Sequence, residues 1–130
     1  WLSRALVTIC AAVLAVGTLV TGAGPHSGDV DVTHRIAVDV RTLAWLHADL
    51  VLLFVGLLVG LWLALRLTDA PERARSWAHA VMALAIIQGV VGYTQWFAGV
   101  PWLLVSVHML LACLVWIATL QTHLSLRSRG

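Results

Sequence analysis

Two histidines stand inside long apolar runs, one in Arg41-Thr-Leu-Ala-Trp-Leu-His47-Ala-Asp49 and one in Pro101-Trp-Leu-Leu-Val-Ser-Val-His108. At ~1.5 Å of helical rise per residue, His47 falls roughly 9 Å past Arg41 and His108 roughly 10 Å past Pro101, so both imidazoles can lie at one depth. Ionisable side chains inside a bilayer are costly and rare, and a matched pair points to function. Imidazole nitrogen is a common metal ligand, so two equally deep histidines fit a shared metal centre. The competing reading is a pair of core histidines that bond across a bundle.

The rest of the chain must hold that pair in a membrane. It has 130 residues, 61% hydrophobic and only 11% charged, with a mean hydropathy of +0.94. These values exclude an ordinary soluble globule. All basic residues are arginine, and a scattered net charge of +2 gives no nucleic-acid surface, so nucleic acid is not an expected partner. Cys10 and Cys113 fall in the middle of apolar runs, where they are expected to be reduced and to face core or lipid. The apolar run that follows Trp1 resembles a signal peptide, but the expectation is a piece of a longer polypeptide.

Taken in order, the chain predicts four spans in a single domain over residues 1–130. Span one covers about Ala5 to Val20 and closes at the breaker cluster Thr21-Gly-Ala-Gly-Pro25. His26 to Val40 is polar and fits a structured loop over the bundle. Span two runs from Thr42 to Leu65 and contains His47. Arg66 to Ser76 is a tight connection in which Thr68 or Asp69 is expected to cap a helix that Pro71 begins. Span three covers Trp77 to Phe97, and the short turn Ala98-Gly-Val-Pro101 makes it an antiparallel neighbour of span four, Trp102 to Thr122. The predicted fold is therefore an all-α integral membrane four-helix bundle in the lipid bilayer.

Arg4, Arg66, Arg73, Arg75, Arg127 and Arg129 fall on one side, against Arg35 and Arg41 on the other. That asymmetry predicts cytoplasmic termini. It also puts His47 and His108 near the outer face, on spans that run in the same direction and can lie side by side. Trp45, Trp96 and Trp102 mark the outer boundary, and Trp77 the inner one.

Leu43, Val51, Phe54 and Leu58 share a stripe with His47, as Leu104, Leu111, Ala112 and Val115 do with His108. Two apolar stripes headed by histidine suit a flat macrocycle with two axial imidazoles, because haem iron accepts histidine nitrogen; zinc would want three or four ligands. On span three, Ala85, Gln88, Gly92 and Gln95 share a face that either borders the ring edge or joins helices by hydrogen bonds. Gly56 and Gly60, about 180° from His47, are expected to allow close helix approach. Asp49 points ~200° away from His47, which fits contact with another helix, subunit or missing segment, or else proton transfer. His79 and His123 are expected at the inner interface, solvated, with a second haem between them as the lesser alternative. His26 and His34, with Arg35 and Arg41, could meet haem propionates on the outer side.

Four segments in order carry a family resemblance: Val20-Thr-Gly-Ala-Gly-Pro-His-Ser-Gly-Asp29, Leu46-His-Ala-Asp-Leu50, Gln88-Gly-Val-Val-Gly-Tyr-Thr-Gln95 and Val107-His-Met-Leu110. Together they resemble the C-terminal four-helix half of bacterial haem A synthase, especially its actinobacterial forms. The resemblance implies a multi-pass protein of the bacterial plasma membrane, with haem b as cofactor and His47 and His108 as axial iron ligands. It also implies a parent oxidoreductase that oxidises the haem O C8 methyl to the formyl of haem A for cytochrome oxidase. The half in which haem O reacts has a glutamate three residues before its first haem-region histidine and, in many members, a cysteine pair in an outer loop. Here Ala44 stands at that place and neither cysteine is in a loop, so this half alone is not expected to be catalytic. The expected partners are the haem O/haem A substrate system and the other four-helix half or a second copy. The alternatives are a small membrane cytochrome b exchanging electrons with quinol, and a haem-free structural or assembly subunit.

Overall fold

A backbone inside hydrocarbon must bond to itself, and four apolar runs free of internal proline meet that demand as helices. The structure, a computed structural model, describes residues 1–25 and 36–127, and the helices are α1 (Leu2–Ala23), α2 (Val40–Leu67), α3 (Glu72–Phe97) and α4 (Trp102–Ser125). All four are long and apolar enough to cross a membrane. The expected membrane four-helix bundle is thus the observed one, with helices longer than the predicted spans by a turn or less at most ends. The start of α1 and the end of α4 lie at one end, called the terminus end, where His123 Nδ1 meets Ser3 Oγ at 3.0 Å. Arg4, Arg66, Arg73, Arg75 and Arg127 belong to that end and Arg41 to the other, while Arg35 and Arg129 lie outside the described residues.

The connections follow from local chemistry. After α3, the N–H of Gly99 donates to the Trp96 carbonyl and that of Val100 to the Gln95 carbonyl, the paired bonds of a Schellman ending. Gly99 has φ +77° and Val100 φ +59°. The second value is strained for a β-branched residue, and Pro101 then starts α4. Between α2 and α3, neither expected cap is used: Thr68 Oγ1 donates back to the Ala64 carbonyl at 2.9 Å and so closes α2. Pro71 takes the N-cap place of α3 without a side-chain cap bond. After the first loop, the Ile36 N–H donates to the Gly22 carbonyl, and the Ile36 side chain covers Gly22 so closely that a Cβ there would lie 2.8 Å from Ile36 Cδ1.

Around the bundle, α1 packs on α2 and α4, and α3 packs on α2 and α4, which leaves α2 and α4 on a diagonal. The expectation that the two histidine-bearing spans lie side by side is corrected here. The two short connections put α3 beside both, and a ring of four then forces them apart.

The core occupies only one half of the bundle length. Leu6 and Cys10 of α1, Phe54, Leu58, Leu61 and Leu65 of α2, Ala78 and Val81 of α3, and Val115 and Ala118 of α4 form one buried cluster. They lie in the half of each helix toward the termini. Alanines at the contacts let backbones approach, as membrane packing favours. Beyond Phe54, toward the opposite end, Leu43 is the one hydrophobic side chain among the described residues that is buried to the same degree.

Asp39 caps α2, accepting through Oδ2 from both the Thr42 N–H and the Thr42 hydroxyl at 2.8 Å. The Thr42 hydroxyl and then its amide hold the Asp39 carboxyl below the ordinary carboxylate range. A depressed folded-state value stabilises the fold above the unfolded value, and that stabilisation is lost as pH falls through the folded one. Hydrogen exchange at the Thr42 amide, corrected for intrinsic exchange, should therefore lose protection on acidification below about pH 4. Asp39→Ala should remove the same protection at neutral pH, and unchanged exchange in the variant would refute the cap.

Candidate metal centre

His47 lies on the second turn of α2 and His108 on the second turn of α4, both at the end opposite the termini and both half-buried. Their helices are diagonal, so the imidazoles approach from opposite walls. Of the predicted stripes, Leu43, Phe54 and Leu58 are buried on His47's face and Val115 on that of His108, while Val51, Leu104, Leu111 and Ala112 are only partly buried.

Each imidazole is seated on a glycine of the neighbouring helix. His47 Nδ1 lies 3.1 Å from the Val13 carbonyl, an acceptor only, so Nδ1 carries the proton and donates. A Cβ on Gly17 would stand 3.2 Å from His47 Cε1 and 3.5 Å from Nδ1. The missing side chain therefore opens the route from the ring to a carbonyl one turn back on α1. This tautomer leaves Nε2 unprotonated, with its lone pair available, and Nε2 makes no hydrogen bond among the described residues. Such second-atom bonding is how ligating histidines are commonly oriented.

His108 has a parallel seat on α3. A Cβ on Gly92 would stand 3.0 Å from His108 Cε1 and 3.5 Å from Nδ1. One turn back, Gln88 Nε2 donates to the His108 carbonyl at 3.0 Å, so Gln88 joins α3 to α4 at the histidine's own backbone. His108 Nδ1, Gln88 Oε1 and Gln95 Oε1 are buried without partners among the described residues. Such orphaned atoms are unusual in a finished core, and Trp62 Nε1 in the packed half is another. Of the two readings of the α3 face, hydrogen-bonded helix joining is realised by Gln88. The side-chain oxygens of Gln88 and Gln95 are left without partners among the described residues.

These residues offer the two nitrogen donors that a bis-imidazole macrocycle would need. Two nitrogen donors come from opposite walls, one with its tautomer fixed, and the bundle has almost no buried core at their level. Among the described residues no group of three or more His, Cys, Asp or Glu side chains could hold a bare ion. Two ligands suffice when a porphyrin supplies the other four.

The remaining sequence candidates do not join this site. Asp49 is exposed on the outside of α2. Gly56 and Gly60 also face outward, with nothing within 4 Å of where a Cβ would stand on either, so the expected close approach does not occur within this chain. His79 is exposed and meets Trp62 edge to face at a centroid distance of 6.1 Å, in the α2–α3 seam. His123 turns to Ser3 in the α1–α4 seam, so the two have separate partners in different seams. His26, His34 and Arg35 lie outside the described residues, while Arg41 is exposed at the first turn of α2. Cys10 is buried and Cys113 exposed, and both are free thiols. Val13 and Gly17 were not singled out by the sequence; the available signal was a lone glycine inside an apolar helix.

Gly92→Val should displace the His108 ring, visible as a shift of its imidazole resonances in histidine-labelled protein. Gly89→Val should leave them in place, because nothing lies within 4 Å of a Cβ at Gly89. Equal spectra for both variants would remove Gly92 as the seat.

Searches of protein-family models, of curated proteins and of solved structures give no match to this chain.

Proposed function

We propose that this chain is a haem b-binding transmembrane unit, with His47 and His108 as the axial ligands. The observation that carries the reading is their placement on diagonal helices at one end of the bundle, each against a glycine, where the buried core has ended. Haem iron held by two histidines exchanges single electrons and keeps no position open for oxygen. The chain's own part is to orient His47 through Val13, to anchor the His108 backbone through Gln88, and to wall the site with hydrocarbon.

On the four-segment resemblance, the parent protein would be a haem A synthase of the bacterial plasma membrane, converting haem O to haem A, with both termini cytoplasmic by the arginine asymmetry. This segment would be its cofactor half. The outward face of α2 supports a partner, either the other four-helix half or a second copy. Gly56 and Gly60 leave it shallow, and Asp49 is a carboxylate exposed on a membrane span, where lipid contact is unfavourable.

The reduced-minus-oxidised optical spectrum of the detergent-purified chain tests the cofactor. A sharp low-spin b-type spectrum is expected, and His47→Ala and His108→Ala should each abolish it or turn it high-spin. Folded protein made with ample haem that shows no haem band would sink the reading. Haem analysis with haem O supplied to the parent protein separates a synthase from a quinol-linked carrier.

The partner face is tested by resonance energy transfer between labelled copies in vesicles. Gly56→Leu with Gly60→Leu should weaken association by roughly tenfold, since leucines fill the shallow face. The same transfer in variant and wild type would exclude self-association through α2.

A further inference from the structure

At the terminus end, α3 and α4 leave an open cleft of about 410 Å³, lined by Pro71, Arg73, Gln121, Leu124, Ser125 and Arg127. It lies at the edge of the membrane span, where lipid headgroups sit. Arg73 reaches it from the first turn of α3 and Arg127 from just past the end of α4. Among the described residues neither guanidinium has a carboxylate partner. Two unpaired guanidinium groups in one cleft repel each other, and a shared anion removes that repulsion.

The cleft has further features of an anion seat. Pro71 takes the N-cap place of α3 with no side-chain cap bond, so the Glu72 and Arg73 amides keep their partial positive charge, although the Glu72 carboxylate stands in the same turn. Ser125 Oγ donates to the Gln121 carbonyl at 2.7 Å and so offers the cleft no proton; the donors among the lining residues are the arginines and the Gln121 amide. Leu124 is an apolar wall that is 51% exposed and suits an acyl chain descending from the headgroup. Guanidinium groups match phosphate oxygens in pairs, and basic pockets between spans bind anionic headgroups.

We propose that this cleft binds the phosphate of an anionic phospholipid, with Arg73 and Arg127 as its ligands. The shared chemistry is a phosphate, and the adjoining hydrocarbon wall selects the lipid over the free ion.

Native mass spectrometry of the full chain, titrated with phosphatidylglycerol against phosphatidylcholine, tests this. The wild type should retain phosphatidylglycerol in preference. Arg73→Gln with Arg127→Gln should lower its occupancy by roughly tenfold. Arg4→Gln with Arg75→Gln, a pair of equal charge change outside the cleft, should retain it. Matching circular dichroism across variants excludes unfolding as the cause. Equal loss in both pairs would show only a general surface potential and overturn the proposal. So would equal retention of the two lipids, or displacement of phosphatidylglycerol by millimolar inorganic phosphate.

Discussion

An imidazole inside a bilayer gains by bonding its ring nitrogens locally, and the end of this bundle opposite the start of α1 is arranged around two of them. His47 meets it with a carbonyl of the neighbouring helix, that of Val13. Such a bond requires close approach between α1 and α2, which Gly17 permits and a larger residue would obstruct. One contact therefore fixes the proton on Nδ1, the direction of Nε2 and the spacing of two helices. At His108 the helix spacing is set by another device: Gln88 bonds the main chain and Gly92 leaves room for the ring. Here Nδ1 has no partner among the described residues, so the two seats are alike in sterics and unlike in hydrogen bonding.

The same helices do two jobs along their length. Toward the termini, Leu58, Ala78, Val81 and Ala118 pack as a membrane core whose attraction comes from close contact rather than from expelling water. Toward the other end, Leu43 is the one buried hydrophobic side chain among the described residues, and glycines, glutamines and the two histidines take inward positions that cannot build such a core. Stability at the terminus end thus frees the opposite end for residues chosen by chemistry. The Ile36 cover over Gly22 and the Asp39 cap are what the chain supplies to hold that opposite end closed at α1 and α2.

Much of this was legible from residue order, and the failures have physical causes. Apolar length fixed the four spans, and helical spacing identified the inward stripes through Leu43, Phe54 and Leu58. Periodicity tells which face of a helix is buried, not which helix lies opposite, so the diagonal placement of α2 and α4 did not follow from the stripes. Cap residues misled between α2 and α3 because a threonine hydroxyl can bond backwards to its own helix as readily as forwards. Gly56 and Gly60 have the spacing of a packing pattern, but they face outward and meet no helix of this chain. The Val13–Gly17 seat was hidden because a backbone carbonyl leaves no mark in the sequence, and one glycine in an apolar run has many uses.

Those glycines bear on how cofactor and fold are related. Glycine inside a helix costs roughly 0.5–1 kcal/mol relative to alanine, even where alanine would fit the helix itself. Gly17 and Gly92 accept that cost at the two places where a methyl group would crowd an imidazole. On the proposed reading, a bound macrocycle would add contacts at the level where protein side chains supply few, and a ligand bound only by the folded state stabilises it by about 4 kcal/mol at a thousand times its dissociation constant. The half of the bundle that sacrifices most helix propensity and core packing is then the half that gains most from the ligand.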